Sequence, residues 1–213
     1  MMAALSEVPM PDEATRFLQE EARRLADENR ELRDELRALR ESVHALSSLY
    51  LLYQNITAET DVFQLLSDIL DTAMVVLKAS DGSLMLTDET TGELVFAVVR
   101  GTASESLRGY RIPPGQGIAG SVAASRKPEI VLDVRRDPRF YALVDETTGF
   151  KTRSMVCVPL CLDTGRVLGV IQVLNKVSDR EFTQDDLDLM LVVAQLAVHA
   201  MHRAERAGEP KAA

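Results

Sequence analysis

Soft metal ligands and strong nucleophiles are scarce in this chain: 213 residues carry two cysteines and three histidines. Cys157 and Cys161 sit in one apolar run that reads as a strand, where extension sets their Cα atoms about 13 Å apart. A disulfide needs less than about 7 Å. The two are expected not to pair with each other and to behave as small hydrophobes. His199 and His202 lie one helical turn apart near the C-terminus. No cysteine or further histidine completes a ligand set, so a solvated helix face is expected there. No Ser/His/Asp set, P-loop or H-E-x-x-H motif occurs, and no catalytic or metal-binding residue is assigned.

Positive charge is also short. Lys and Arg total 24 against 33 Asp and Glu, a net charge of −9. General binding to nucleic acid or to an anionic membrane needs clustered cations, so neither is expected. One bound phosphate stays open, because a helix N-terminus can hold it without bulk positive charge. No apolar run is long enough for a membrane span, and no signal peptide pattern is present. A reducing cytoplasm is the expected compartment.

What is present begins with a seven-residue repeat. Leu18, Leu25, Leu32, Leu39 and Leu46 recur at one heptad position, d, and Tyr53 continues the series. Position a holds Thr15, Ala22, Asn29, Leu36, Val43 and Tyr50. Glu28 and Glu35 fall at g, Arg33 and Arg40 at e, the pattern of a parallel two-stranded coil. Asn29 at a favours an in-register dimer at some cost in stability. Such a helix is roughly 65 Å long and must project from any small domain. A single solvated helix packed on its own domain is the alternative.

A helix start at Ala58 to Asp61 opens the rest of the chain, and a helix to Leu77 follows with a broad 3.6-residue apolar stripe. Lys78 to Gly82 is expected to end it. Strands are expected at Ser83 to Thr87 and Leu94 to Arg100, joined by the turn Asp88 to Gly92. A second hairpin is expected from Met155 to Leu160 and Val167 to Leu174. The last helix runs from about Thr183 to Glu205, and Thr183 with Asp186 resembles a capping box. The order of elements fits an α+β domain with an antiparallel sheet.

Arg111 to Pro159 organises this domain. Gly115, Gly117 and Gly120 follow Pro113-Pro114 and lead into a short helical run from Ile118 to Ala124. Such a turn leaves backbone N–H groups and a helix dipole free for an anion. The loop from Asp133 to Thr152 is about 20 residues long, which in a compact domain suits a segment that binds or covers something. Together they read as one side of a small-molecule pocket.

G-Q-G-I-A-G-x-V-A, then D-P-R-F-Y-x-x-V-D-x-x-T-G-F-x-T-R-S, then G-V-I-Q-V-L-N-K and F-T-Q-D-D resemble a GAF domain. The subtype is similar to the cyclic-nucleotide-binding GAF domains of phosphodiesterases and bacterial adenylate cyclases, over roughly residues 61–203. The resemblance implies a sheet of about six strands, with the first and last helices packed together on one face and a ligand pocket on the other. It also implies that those helices join two copies. The chain then divides into a disordered tail (1–11), a coiled-coil helix (12–57), a GAF domain (58–205) and a tail (206–213).

By the same resemblance a nucleotide phosphate sits on the N–H groups of Ile118 and Ala119. Tyr141 closes on the phosphate side, Asp145, Thr148 and Thr152 come from the covering loop, and Ser83 lies under the base. Val99 and Arg100, with Gln172, stand where the base is read. Arg100 replaces an Asp and Gln172 replaces a Glu of that subtype. Asp145 and Thr148 also suit helix or turn capping. Asn175-Lys176, Phe182 and Asp186 resemble a second motif of the subtype. A structural role is expected for it: Lys176 pairs with Asp186, with Phe182 buried between them.

Enzymatic readings find little support. GAF domains that reduce free methionine sulfoxide need a cluster of reactive cysteines, and bilin-binding ones carry a Cys-His pair that is absent here. The leading expectation is a non-enzymatic, homodimeric sensor. It would need no cofactor, bind a small ligand with cAMP or cGMP foremost, and signal to an unidentified partner protein, since no output domain follows in this sequence. The alternative is a dimerisation or scaffold protein with a vestigial pocket.

Overall fold

A computed structural model describes residues 13–54, 61–102, 107–177 and 181–208. The helix start expected at Ala58 to Thr60, the heptad side chain of Tyr53, both terminal tails and part of the Gly101 to Gly109 loop lie outside the described residues. The chain divides between Val43 and His44 into two compact units.

The first unit is built from the helix α1, Glu13–Gln54, which continues into the second. Leu18, Leu25, Leu32 and Leu39 are all exposed on it, as are Leu36 and Val43 at the companion heptad position. Pairs one turn apart, Arg24–Glu21, Arg30–Asp27 and Arg37–Asp34, lie along its solvated surface. Each such pair contributes a few tenths of a kcal/mol, roughly.

The second unit begins its domain with α2, Val62–Leu77, capped by the Asp61 carboxylate, which accepts from the N–H groups of Phe63 and Gln64 at 2.9 and 3.2 Å. Lys78 ends α2 in a left-handed conformation, φ 53°. The chain then turns directly into β1, Ala79–Thr87. So the segment expected as a helix end is strand. Gly82 lets β1 pass close under α2, since a Cβ there would lie 3.0 Å from the Leu70 side chain.

The remaining elements are β2 (Leu94–Arg100), β3 (Arg111–Ile112), α3 (Gly117–Ser125), β4 (Glu129–Val131), a short 3₁₀ turn (Val134–Arg136), α4 (Leu143–Thr148), β5 (Met155–Cys161), β6 (Val167–Lys176) and α5 (Gln184–Gly208). The six strands form one antiparallel sheet in the order β3-β2-β1-β6-β5-β4. Long strands occupy the centre, and the two shortest, β3 and β4, blunt the edges against pairing with other chains.

Alternation along the strands separates two cores. One lies between the sheet and the helices α2 and α5, and is almost wholly aliphatic: Leu66, Leu70, Val156, Ile171, Val173 and Met190 are buried there, and Leu46 of α1 packs against it. The other lies under α3 and the 133–153 loop, with Met85, Phe96, Ile118, Val122 and Val134. The fold is thus α+β, a six-stranded antiparallel sheet flanked by helices with a long N-terminal helix. Among the described residues no helix is long and apolar enough to cross a membrane.

Candidate functional site

The Pro-Gly turn before α3 is shaped by close backbone approach. A Cβ on Gly120 would lie 2.7 Å from the carbonyl carbon of Gly115, and Gly117 has φ +74° with its open side 3.2 Å from the Tyr141 Cβ. Only glycine fits both demands. The turn delivers the chain into α3 with Gln116 at the cap position, and Gln116 makes no side-chain capping bond. The first N–H groups of α3 therefore keep their donor capacity and the positive end of the helix dipole.

This helix start opens on a cavity over the second core. The empty space is about 670 Å³ with its mouth included, and the walls are mainly apolar: Phe96, Leu107, Ile112, Phe140, Val144 and Phe150 contribute. Ser83, Val99, Arg100, Ile118, Ala119, Tyr141, Asp145, Thr152 and Gln172 all reach its lining. Thr148 is not among the lining residues. Its hydroxyl donates to the Val144 carbonyl at 2.9 Å and accepts the Phe150 N–H, closing the end of α4.

Strand register sets one row across the sheet, of which Val99, Ser83 and Gln172 line the cavity. Val99, Ser83, Gln172, Cys157 and Glu129 stand opposite one another across β2, β1, β6, β5 and β4. Gln172 donates Nε2–H to Ser83 Oγ at 2.9 Å, and its Oε1 faces the Cys157 thiol at 3.9 Å. Complete burial pushes the Cys157 thiol far up, so it stays protonated. Cys161 is also free and is partly exposed.

The covering loop is braced within itself and fastened to the rest of the domain at two places. Asp145 accepts from the Thr152 N–H at 2.8 Å and the Thr152 hydroxyl at 2.7 Å. Arg139 reaches Glu129 of β4, Asp137 and the hydroxyl of Ser121 on α3. The Arg139 guanidinium holds the Asp137 carboxyl below its usual range, and Asp137 with Glu129 raises Arg139 in turn. Finally Asn175, at φ +54°, accepts from the Arg153 N–H and donates to the Lys151 carbonyl. Asn tolerates this left-handed backbone better than most residues. Tyr110 stands beside Tyr141; burial, with that neighbour, raises its phenol.

Arg100 is engaged away from the cavity interior. Its Nε donates to Asp71 of α2 at 2.8 Å, and its second amino group reaches the other oxygen of Asp71 at 3.3 Å. Asp81 also lines the cavity, was not singled out from the sequence, and is 5% exposed. It accepts from the Thr102 N–H at 2.9 Å and from the Ser80 hydroxyl. Strand alternation was the missed signal: once β1 starts at Ala79, Asp81, Ser83 and Met85 share a face.

Lys176, Phe182 and Asp186 meet on the other side of the sheet end. Lys176 Nζ pairs with Asp186, both side chains 12% exposed, and lies 5.4 Å above the Phe182 ring. Asp186 also accepts the Thr183 N–H at 2.8 Å, while Thr183 Oγ1 faces the Asp186 N–H at 3.4 Å. This is a reciprocal cap at the start of α5, and none of the three lines the cavity.

Comparison with known proteins fits this arrangement. Dual 3',5'-cyclic-AMP and -GMP phosphodiesterase 11 of Drosophila melanogaster is 31% identical over 151 residues, 65% of this chain and 10% of that protein. Phosphodiesterase 11A of Takifugu rubripes is 33% identical over 144 residues, 63% of this chain and 16% of its own length. The match is thus to a small part of those enzymes, their GAF part. The GAF domain of a Coxiella burnetii phosphoenolpyruvate-protein phosphotransferase superposes with a TM-score of 0.67 at 18% identity, covering 81% of this chain and 99% of that one. Free methionine-R-sulfoxide reductase from Neisseria meningitidis gives 0.63 at 21% identity, covering 78% and 91%. At such identities these structures share the fold alone. The GAF domain family model itself spans residues 61–201, from the cap of α2 to the last turns of α5 and through every strand between, and the chain belongs to that family of small-ligand sensing domains.

Proposed function

We propose that the chain is a dimeric, non-enzymatic sensor that binds a 3',5'-cyclic nucleotide, cAMP or cGMP, and signals through its helices to a partner protein in the cytoplasm. The observation that carries this reading is the uncapped start of α3, opening on a largely apolar cavity under a fastened loop. A phosphate on the N–H groups of Ile118 and Ala119 would leave the base over the row of Val99, Ser83 and Gln172. The relatives named phosphodiesterases for cyclic AMP and GMP support the ligand class. The exposed Leu18 to Leu39 row, with Glu at g and Arg at e, supports a parallel pairing of two α1 helices.

The test is release of bound ligand. Purified protein is heated and the supernatant examined by mass spectrometry, followed by calorimetry with cAMP, cGMP and cyclic dinucleotides. A released or titrated cyclic mononucleotide is expected. No bound molecule and no heat would sink the sensory reading in this form. A second reading, a dimeric scaffold with an unused pocket, draws on Arg100 being engaged by Asp71. Dimer mass in light scattering with no ligand of any class would favour it.

A further inference from the structure

Two polar groups of β1 face the cavity with capacity to spare, and neither belongs to the phosphate end. Asp81 is buried, and a carboxylate is an acceptor with about four lone-pair sites. Two of them are engaged, by the Thr102 N–H and the Ser80 hydroxyl. The carboxylate is also cradled: a Cβ on Gly101, φ +95°, would lie 2.1 Å from its Oδ1. A side chain at 101 would thus push Asp81 from its place.

Ser83, two residues on and on the same face, is 2% exposed. It accepts from Gln172 Nε2–H. The orientation of that amide follows from its other neighbour, since the protonated Cys157 thiol is a donor and stands against Oε1. Among the described residues nothing accepts the hydroxyl proton of Ser83. The cavity therefore meets one strand that offers acceptors at Asp81 and a donor at Ser83, roughly 7 Å apart along the backbone.

We infer that Asp81 and Ser83 select a guanine edge over an adenine edge in this cavity. The inference rests on the cyclic-nucleotide reading. Guanine presents N1–H and an exocyclic N–H, which one carboxylate can accept together, beside a carbonyl oxygen that takes a hydroxyl proton. Adenine presents an unprotonated ring nitrogen at the same place, where its lone pair would meet those of Asp81. A buried acceptor left facing an acceptor is the costly case. The selecting carboxylate would then come from β1, where the resemblance placed base recognition on Arg100 and Gln172.

Calorimetry on the full chain with cGMP, cAMP and 3',5'-cyclic inosine monophosphate tests this. Inosine keeps N1–H and the carbonyl but lacks the exocyclic amine. Expected is cGMP bound about tenfold or more tighter than cAMP, with the inosine nucleotide between them. Asp81→Asn keeps the Thr102 bond and can donate to Ser80 Oγ, so its fold can be checked by thermal melting; it should bring cGMP and cAMP to within about threefold. Binding of cAMP as tight as cGMP, or equal binding of cGMP and the inosine nucleotide, overturns the inference and leaves the cyclic-nucleotide reading standing. So does a folded Asp81→Asn that keeps the preference. Failure of all three nucleotides to bind refutes both. The ligand comparison needs no variant and decides the matter even where Asp81→Asn does not fold.

Discussion

The two faces of the sheet are held by different kinds of interaction. Toward α2 and α5 the contacts are mostly aliphatic and continuous, with the Lys176–Asp186 pair at one corner. Toward α3 and the 133–153 loop, the aliphatic contacts are broken by a cavity with polar side chains in its lining. The covering segment is fixed by the Asp145–Thr152, Arg139–Glu129 and Asn175–Arg153 bonds. A face sealed by burial has one packing optimum. A face sealed by a handful of polar bonds around empty space can open at small cost, as a ligand-binding surface must.

The contrast breaks first on core truncation. Leu66 on α2 is fully buried. Leu66→Ala should cost about 2–5 kcal/mol of unfolding free energy, because the rigid neighbours cannot collapse into the space. Val144→Ala on the covering loop removes a half-buried side chain beside an existing cavity. Its cost should be below about 1.5 kcal/mol. Urea unfolding of both variants makes the comparison; equal losses would show that the two faces do not differ as described.

The next largest effect concerns the corner motif. Lys176→Ala leaves Asp186 with the Thr183 bonds but without its cation, at about 2–3 kcal/mol. Stability should fall and ligand affinity follow only in proportion, since no atom of the motif lines the cavity. Thr152→Val is the counterpart: it removes the hydroxyl bond to Asp145 for roughly 1 kcal/mol, and should weaken ligand binding through a looser loop. A Lys176→Ala protein with unchanged melting temperature and a large affinity loss would reverse the assignment of the two faces.

How well each face could be read from the sequence follows from the same contrast. The helix face is legible because its signals are long. The 3.6-residue stripe of α2 and α5 and the apolar runs of β5 and β6 repeat over many residues. The Thr183–Asp186 pair marks its cap in the sequence and makes the reciprocal bonds in the structure. The cavity face depends on short or single features. β3 and β4 are two and three residues long, too short to show alternation. α4, six residues inside the covering loop, is masked by its D-E-T-T-G ending, which reads equally well as a turn. Asp81 stayed hidden because Lys78 to Gly82 reads as the end of a helix. The tie from Asn175 to Lys151 and Arg153 depends on a positive φ that no pattern announces.

Acid offers the smallest and most selective test. The carboxylates displaced downward by a partner cluster away from the helix face: Asp137 by Arg139, and Asp88 and Glu93 by Arg111. A depressed folded value means the unfolded chain binds more protons near that pH, so stability rises with pH there. Each such contribution is present above the ordinary values, 3.8 for Asp and 4.5 for Glu, and is lost as pH falls through the depressed ones. Arg139→Gln removes the cation that depresses Asp137 and also unties the loop from β4 and α3. The melting temperature of wild type should therefore exceed that of Arg139→Gln by a few degrees at pH 6, roughly what 1 kcal/mol gives in a domain of this size, and the gap should narrow as pH falls below 3.8 toward the depressed Asp137 value. A gap that stays constant across that interval would mean that Arg139 packs without pairing. The difference between the two faces would then lie in the cavity alone.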